Sequence, residues 1–334
     1  MKTIKILTSI LIVIIIGLLI WAAVLPSEYH MKQSIKIKAP IGVVFNEIND
    51  LHNWNDWSPW KDSSMSATYE GVKGLGSSVT WVDKKEGAGT LSIIESEHFS
   101  RIKTQMRMSD KTAVAEMLFE FHEDGDYVEV VWSRDILNLS YPFDRYVGWM
   151  LEKGYNYNFK RNLEKLKQFV ETNKTTPDYH GYTIVEGNYK GGSFLASNTS
   201  STMPEMKKVM GERFGTIMQF INQKGLEIQG APIVQWHSYN PDAESEFTCM
   251  VPVQMDSAMA AKNVYSLNFP ETKTIMVKYI GPYEGSYNAW TALDNYMVYN
   301  ALIINGDPWE EYITDPANEP DSTKWITNIY FPVK

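Results

Sequence analysis

Near the C-terminus, the segment Gly306-Asp-Pro308-Trp-Glu-Glu-Tyr312 sets two acids between aromatic rings. Side chains alternate along a strand, so in a strand starting at Pro308, Glu310 and Tyr312 project from one face and Trp309 and Glu311 from the other. A carboxylate beside a phenol supports two kinds of chemistry. Among ring faces in an apolar wall it can receive a cation, with the rings supplying quadrupole attraction and the acid the counter-charge. Against a reactive bond it can act as a general base, with Tyr312 as hydrogen-bond donor. In an apolar wall the carboxylate's pKa should be raised by desolvation until a cation arrives. Alternation leaves one other arrangement open, an exposed Glu310 over a set of purely packed aromatics.

The same phrase occurs roughly 75 to 80 residues earlier as Gly230-Ala-Pro232-Ile-Val-Gln-Trp236. Both copies run through an acidic loop and close on Pro-Val, at Cys249-Met-Val-Pro252-Val253 and Ile329-Tyr-Phe-Pro332-Val333. That spacing is too long for a solenoid and fits a duplicated half-domain. Residues 182–189 and 275–280 have strand patterns, each ending in a Tyr-Gly turn, and residues 205–223 and 286–303 have helical ones. The expectation is two strand–helix–strand–strand modules about a pseudo-twofold axis, with both helices on one face. Val234 and Trp236 then stand where Glu310 and Tyr312 stand in the other copy. A groove built by both copies is lined by Val234, Trp236, Glu310 and Tyr312, with one carboxylate among apolar and aromatic walls.

The elements that must position this segment belong to a chain of 334 residues, enough for two domains of ordinary size. Its composition is globular, with 44% hydrophobic and 21% charged residues. The net charge of -9 argues against a nucleic-acid partner, which needs a basic face. The single cysteine, Cys249, excludes an internal disulfide framework and reads as a small buried thiol. His52, His98 and His122 lack metal-ligand spacing, so neither a metal nor another cofactor is expected.

Residues 6–25 carry no charge and are long enough to cross a bilayer. Lys2 and Lys5 precede the run, Trp21 sits near its far end where an interfacial aromatic belongs, and Pro26 stops it. A cleaved signal peptide would have a shorter apolar region, about 7 to 15 residues, ending in a small-x-small site of which Ala22-Ala23 is a weak version. The reading is a membrane anchor over residues 1–26, with the soluble part outside the cytoplasm. Residues 27–174 then form an α+β domain and residues 178–334 a second, joined by a polar linker that contains Pro177.

In the first of these domains, residues 31–38 alternate apolar and polar side chains as a half-buried strand does. Pro40 opens a short helix, strand patterns follow over residues 77–135, and a long closing helix carries Phe159, Leu163, Leu166 and Val170 at helical spacing. Trp54, Trp57 and Trp60 read as packing for the short helix, with a cavity mouth as the alternative. The phrases "KAPIGVVFNEINDLHNWNDWSPW" and "GAGTLSIIE" resemble the START-like SRPBCC superfamily of polyketide-cyclase-like, helix-grip proteins. That resemblance implies an apolar cavity between sheet and long helix but no single chemistry.

The phrases "KYIGPYEGSYNAWTAL", "NGDPWEEYITDP" and "TNIYFPVK" resemble the GyrI-like, AraC-type effector-binding family over residues 178–334. That resemblance implies a central groove for lipophilic, often cationic molecules. It assigns Glu310 as the groove's glutamate, two residues before Tyr312, and brings Tyr283 of the Gly281-Pro-Tyr283 motif to the site. Regulators of this family pair the domain with a helix-turn-helix, whereas here it follows a membrane helix and a helix-grip domain. The function implied is small-molecule binding by a membrane-anchored protein. The alternative is hydrolysis of a reactive molecule through Glu310 and Tyr312.

Overall fold

The computed structural model describes residues 2–58, 66–83, 87–109, 114–174, 176–314 and 319–334. Trp60 lies outside the described residues. The chain forms two compact units, Met1–Thr176 and Pro177–Lys334.

The first unit opens with helix α1 (Lys2–Val24), whose Ile4–Val24 portion has a mean hydropathy of 2.9 and is 6% buried. Seven strands follow: β1 (Tyr29–Ile37), β2 (Ser66–Glu70), β3 (Ser78–Asp83), β4 (Gly87–Glu97), β5 (Arg101–Met108), β6 (Val114–Asp124) and β7 (Tyr127–Ile136). They pair antiparallel in the order β1-β7-β6-β5-β4-β3-β2. Helices α2 (Ile41–Asn49) and α3 (Trp54–Trp57) lie between β1 and β2 in sequence, and the long α4 (Phe143–Asn173) closes the unit. Strand β2 escaped the sequence reading because residues 66–70 present no buried side chain to mark a face.

Helix α4 packs on β1 and β7 through Phe159, Leu163, Leu166 and Val170, each at most 2% exposed. Phe159 stacks on Trp132 at 4.2 Å between ring centroids, and Trp132 on Phe119 at 4.6 Å. Trp54 meets the same two rings edge-on, and both Trp54 and Trp57 are buried. These tryptophans therefore pack the short helix, and the Trp132–Phe159 stack joins the sheet to the long helix.

The second unit holds a nine-stranded antiparallel sheet. Its strands are β8 (Ile184–Tyr189), β9 (Gly192–Ser201), β10 (Ile233–Trp236), β11 (Ser245–Pro252), β12 (Ala260–Ala261), β13 (Val264–Phe269), β14 (Thr272–Ile280), β15 (Trp309–Tyr312) and β16 (Ile326–Pro332). The order is β12-β13-β9-β11-β10-β15-β16-β14-β8. Helix α5 (Met206–Lys224) packs on β9, β11 and β13, and α6 (Tyr287–Tyr299) on β8, β14 and β16. The repeats are thus β9-α5-β10-β11 and β14-α6-β15-β16, related across the central β10–β15 pair.

Small details repeat as well. Gln229 N–H donates to Pro252 O and Asn305 N–H to Pro332 O, both at 2.9 Å, and matching bridges join Ile228 to Val253 and Ile304 to Val333.

One element corrects the sequence reading. Residues 182–189 are taken as the first strand of the first module, but of these Ile184–Tyr189 form an outer strand paired with β14, and the true counterpart of β14 is β9. The run Gly192-Ser-Phe-Leu-Ala-Ser-Asn-Thr-Ser-Ser201 is rich in small polar residues that usually mark loops. It forms a strand because β11 and β13 pair both its edges, while the α5 cluster covers Leu195 on one face and the Phe269–Trp309 cluster covers Phe194 and Ala196 on the other.

Candidate functional site

Residue pairing across the sheet fixes what surrounds Glu310. Val234 of β10 stands opposite Glu310 of β15, Cys249 of β11 opposite Val234, and Ile329 of β16 opposite Glu310. The row Cys249–Val234–Glu310–Ile329 crosses four strands, and paired residues share a face. Every member but Glu310 is fully buried and apolar or weakly polar, and Glu310 itself is 9% exposed. Burial pushes the Cys249 thiol up to about 12, so it stays neutral and leaves Glu310 as the row's one source of charge.

Two donors hold the carboxylate. Trp290 Nε1–H, from α6, donates to Oε1 at 3.0 Å, and the Tyr312 hydroxyl donates to Oε2 at 2.7 Å. A third group, Trp236, presents a buried Nε1–H that makes no full hydrogen bond among the described residues yet still favours the charged form of Glu310. Desolvation outweighs all three and raises the Glu310 pKa. None of these three neighbours is cationic. Tyr312 is driven the other way from a base: burial, then the adjacent carboxylate, lift its phenol far above its ordinary pKa and keep it a donor.

Aromatic rings surround the pair. Tyr283, just before α6, meets Tyr312 at 5.1 Å between centroids and Trp325 at 4.7 Å. Trp236 meets Phe247 at 5.5 Å. Glu310, Tyr312, Trp236 and Tyr283 thus converge through direct or near contacts. Val234, expected to line the groove, is instead fully buried in the core beneath α5, because the packing of that helix covers the face it projects from.

Helices α5 and α6 both pack on the Val234–Glu310 face. On the opposite face, Glu311 accepts from Asn328 Nδ2 and from the Tyr330 hydroxyl, each at 3.0 Å. It also lines an open cavity of about 380 Å³ with Tyr189, Gln229, Pro252 and Gln254. That cavity holds none of the convergent donors described above.

Sequence reasoning missed Trp290. The residue falls inside a phrase already singled out, on a helix whose Ala289 and Leu293 are buried. Its indole target lies 20 residues away on another element, which spacing alone does not reveal.

One comparison with known proteins bears directly on this unit. Residues 194–334 match the family model of the GyrI-like small molecule binding domain. The second unit carries a GyrI-like domain. The match begins within β9 and leaves out β8, which nonetheless completes the sheet beside β14. No curated protein matches the chain by sequence. Among solved structures, the EcmrR C-terminal domain is 19% identical with a TM-score of 0.41, the match covering 46% of this chain and 98% of that one. EcmrR in its DNA complex is 17% identical with a TM-score of 0.42, covering 57% and 70%. The Aha1 dimer from Colwellia psychrerythraea is 16% identical with a TM-score of 0.33, covering 44% and 98%.

Proposed function

We propose that the GyrI-like domain binds lipophilic cations, with Glu310 as counter-charge and Tyr283, Tyr312 and Trp236 as ring walls. The observation that carries this reading is a buried carboxylate whose close partners are two neutral donors, an indole and a phenol, and a second indole. Burying an unneutralised acid is costly, and an arriving positive charge relieves that cost. Aromatic faces add attraction that needs no second acid. We further propose that α1 anchors the protein in a membrane, with the soluble part outside the cytoplasm and the first unit acting as an SRPBCC-like domain. A helix apolar all round and unburied is stable in lipid rather than in water, which supports the anchor. The net charge of -9 favours small molecules over nucleic acid as the partner class.

The pH dependence of binding tests the site. The Glu310 pKa is raised in the ligand-free protein, so at low pH a permanently charged tetraarylphosphonium must displace a proton. Its affinity is expected to rise with pH, approaching about tenfold per unit below that pKa and levelling off above it, with proton release on binding. Isothermal titration in buffers of different ionisation enthalpy measures both. A flat profile with no proton release would remove Glu310 from the site.

The bond between Tyr312 and Glu310 also suits a hydrolase, with Glu310 as base and Tyr312 as donor. Turnover of a reactive ester that vanishes in Glu310→Gln, while a neutral analogue still binds, would favour that reading over simple binding.

The anchor makes its own prediction. The full chain should float with membranes and keep Lys2, and recovery of a mature chain starting near Pro26 would refute it. Protease shaving of spheroplasts then tests orientation, complete protection being the outcome against an outside location. Division into domains is a further proposal: fragments ending near Asn173 and starting near Pro177 should each melt cooperatively, and two insoluble fragments would mean a shared core.

A further inference from the structure

The first turns of α4 carry large apolar side chains on the side turned away from the sheet. Phe143, Val147 and Met150 recur at helical spacing and are 78%, 51% and 66% exposed. The buried stripe through Phe159, Leu163, Leu166 and Val170 runs along the opposite side of the same helix. Leu137 and Tyr141, each 50% exposed, extend the patch into the connection from β7. A contiguous apolar surface of this kind marks a contact with something other than water.

Its occupant follows from how the patch is tied to α1. The Tyr141 hydroxyl donates to Leu19 O at 3.1 Å, and the Tyr146 hydroxyl donates to Leu18 O. Trp21 packs edge-on against Tyr146 and Trp149, with centroids 5.1 and 5.5 Å apart. Arg145 covers the end of the helix, its Nη1 donating to the carbonyls of Ala22, Leu25 and Ala23 at 3.3, 3.1 and 3.4 Å. Carbonyls in the last turn lack partners within the helix and carry its negative end, so a guanidinium there satisfies both.

Depth follows from the helical rise. Leu18 precedes the end of α1 at Val24 by six residues, about 9 Å along the axis at 1.5 Å per residue. A hydroxyl bonded at Leu18 therefore stands well inside the end of a span that reaches Val24. Tyrosine and tryptophan favour that depth, and an arginine can keep its head at the polar boundary while its stem lies in the apolar layer. Lys153, with its Nζ 4.2 Å from the Trp149 ring, adds a cation at the rim.

We propose that the start of α4, with Leu137, Tyr141, Phe143, Val147 and Met150 facing outward, is embedded in the interfacial layer of the leaflet that holds the C-terminal end of α1. The partner is the lipid bilayer itself, and the first unit rests on its surface instead of hanging from a flexible tether. This rests on the reading of α1 as a membrane span.

The experiment uses the full-length protein in phosphatidylcholine vesicles with nitroxide-bearing lipids. A polarity-sensitive fluorophore is attached through Ile12→Cys, Phe143→Cys, Met150→Cys or Val72→Cys, one at a time. Val72 is 82% exposed in the same unit, outside the patch, and the native Cys249 is buried with a thiol pushed up to about 12 and does not label. Labels at 143 and 150 should be quenched severalfold more than the label at 72, approaching the label at 12. Quenching at 12 with 143 and 150 matching 72 overturns the docking surface and leaves the anchor standing. No quenching at 12 refutes the anchor, and the proposal falls with it. Positions 143 and 150 are exposed and probed separately, so the loss of one variant leaves the other decisive.

Discussion

Glu310→Gln should weaken binding of a lipophilic cation to the full-length protein by about 30- to 1,000-fold, the effect of losing a desolvated charge pair worth roughly 2 to 4 kcal/mol. The substitution keeps side-chain size and one acceptor oxygen, so Trp290 or Tyr312 can still donate to it. Quenching of tryptophan fluorescence, with Trp236 and Trp290 both beside the carboxylate, reads the affinity directly. A second readout separates charge from shape. The raised pKa of Glu310 means that its contribution to ligand-free stability is full while it is protonated and is lost as pH rises through that pKa. Glu310→Gln should therefore melt higher than the unsubstituted protein at neutral pH without ligand, and lower than it when the cation is saturating. Glu311→Gln is the control, because its carboxylate bonds Asn328 and Tyr330 on the far face. Equal weakening by the two substitutions, or none from Glu310→Gln, would remove the site from that face of the sheet.

Gly191→Ala is the second large effect, and it tests the scaffold. Gly191 lies in the turn from β8 to β9 with φ of +66°, a conformation costing an alanine about 1 to 2 kcal/mol. An added Cβ would also lie 2.1 Å from Phe269 O and 2.7 Å from Pro270 O, backbone atoms at the end of β13 that cannot swing aside. The two costs together should destabilise the protein by roughly 2 to 4 kcal/mol, read from the urea midpoint of the second unit's transition. Gly211→Ala is its counterpart. Gly211 lies inside α5 with nothing within 4 Å of the added Cβ, so alanine there should stabilise by about 1 kcal/mol. A Gly191→Ala protein as stable as the original would mean that the turn relaxes freely, and the packing of β8, β9 and β13 described above would be wrong.

Where periodicity and turn chemistry spoke together, the sequence was readable. The repeated Gly-x-Pro and Pro-Val phrases located β10, β11, β15 and β16, and the spacing from Phe159 to Val170 gave the long helix its buried face. Alternation from Pro308 correctly put Glu310 and Tyr312 on one side and Glu311 on the other. It could not say that α6 would drop Trp290 onto Glu310, because a contact between elements depends on how they pack. It also missed β9, whose serines and threonines carry a loop signal that pairing on both edges and packing on both faces override. Tyr189 suggested a turn into a helix, yet the chain after it passes through Gly191 and Gly192 into another strand, β9, which lies elsewhere in the sheet. These misses share a cause: each residue's role is set by partners distant in sequence, and local pattern has no access to them.

The pairing of Val234 with Glu310 at the centre of the sheet has a further consequence. Duplication makes a scaffold whose two ends are interchangeable, and a symmetric cleft would accept an elongated guest equally well in either direction. Here one half presents an acid and the matching position of the other half presents a hydrocarbon. A guest held on that face, as proposed, would meet a head and a tail. In the proposed site a guest with one charged end and one greasy end would bind in a single orientation, and a second charge would meet no second carboxylate in the row Cys249–Val234–Glu310–Ile329. Discrimination between such guests would then come from the acid that one copy carries and the other lacks.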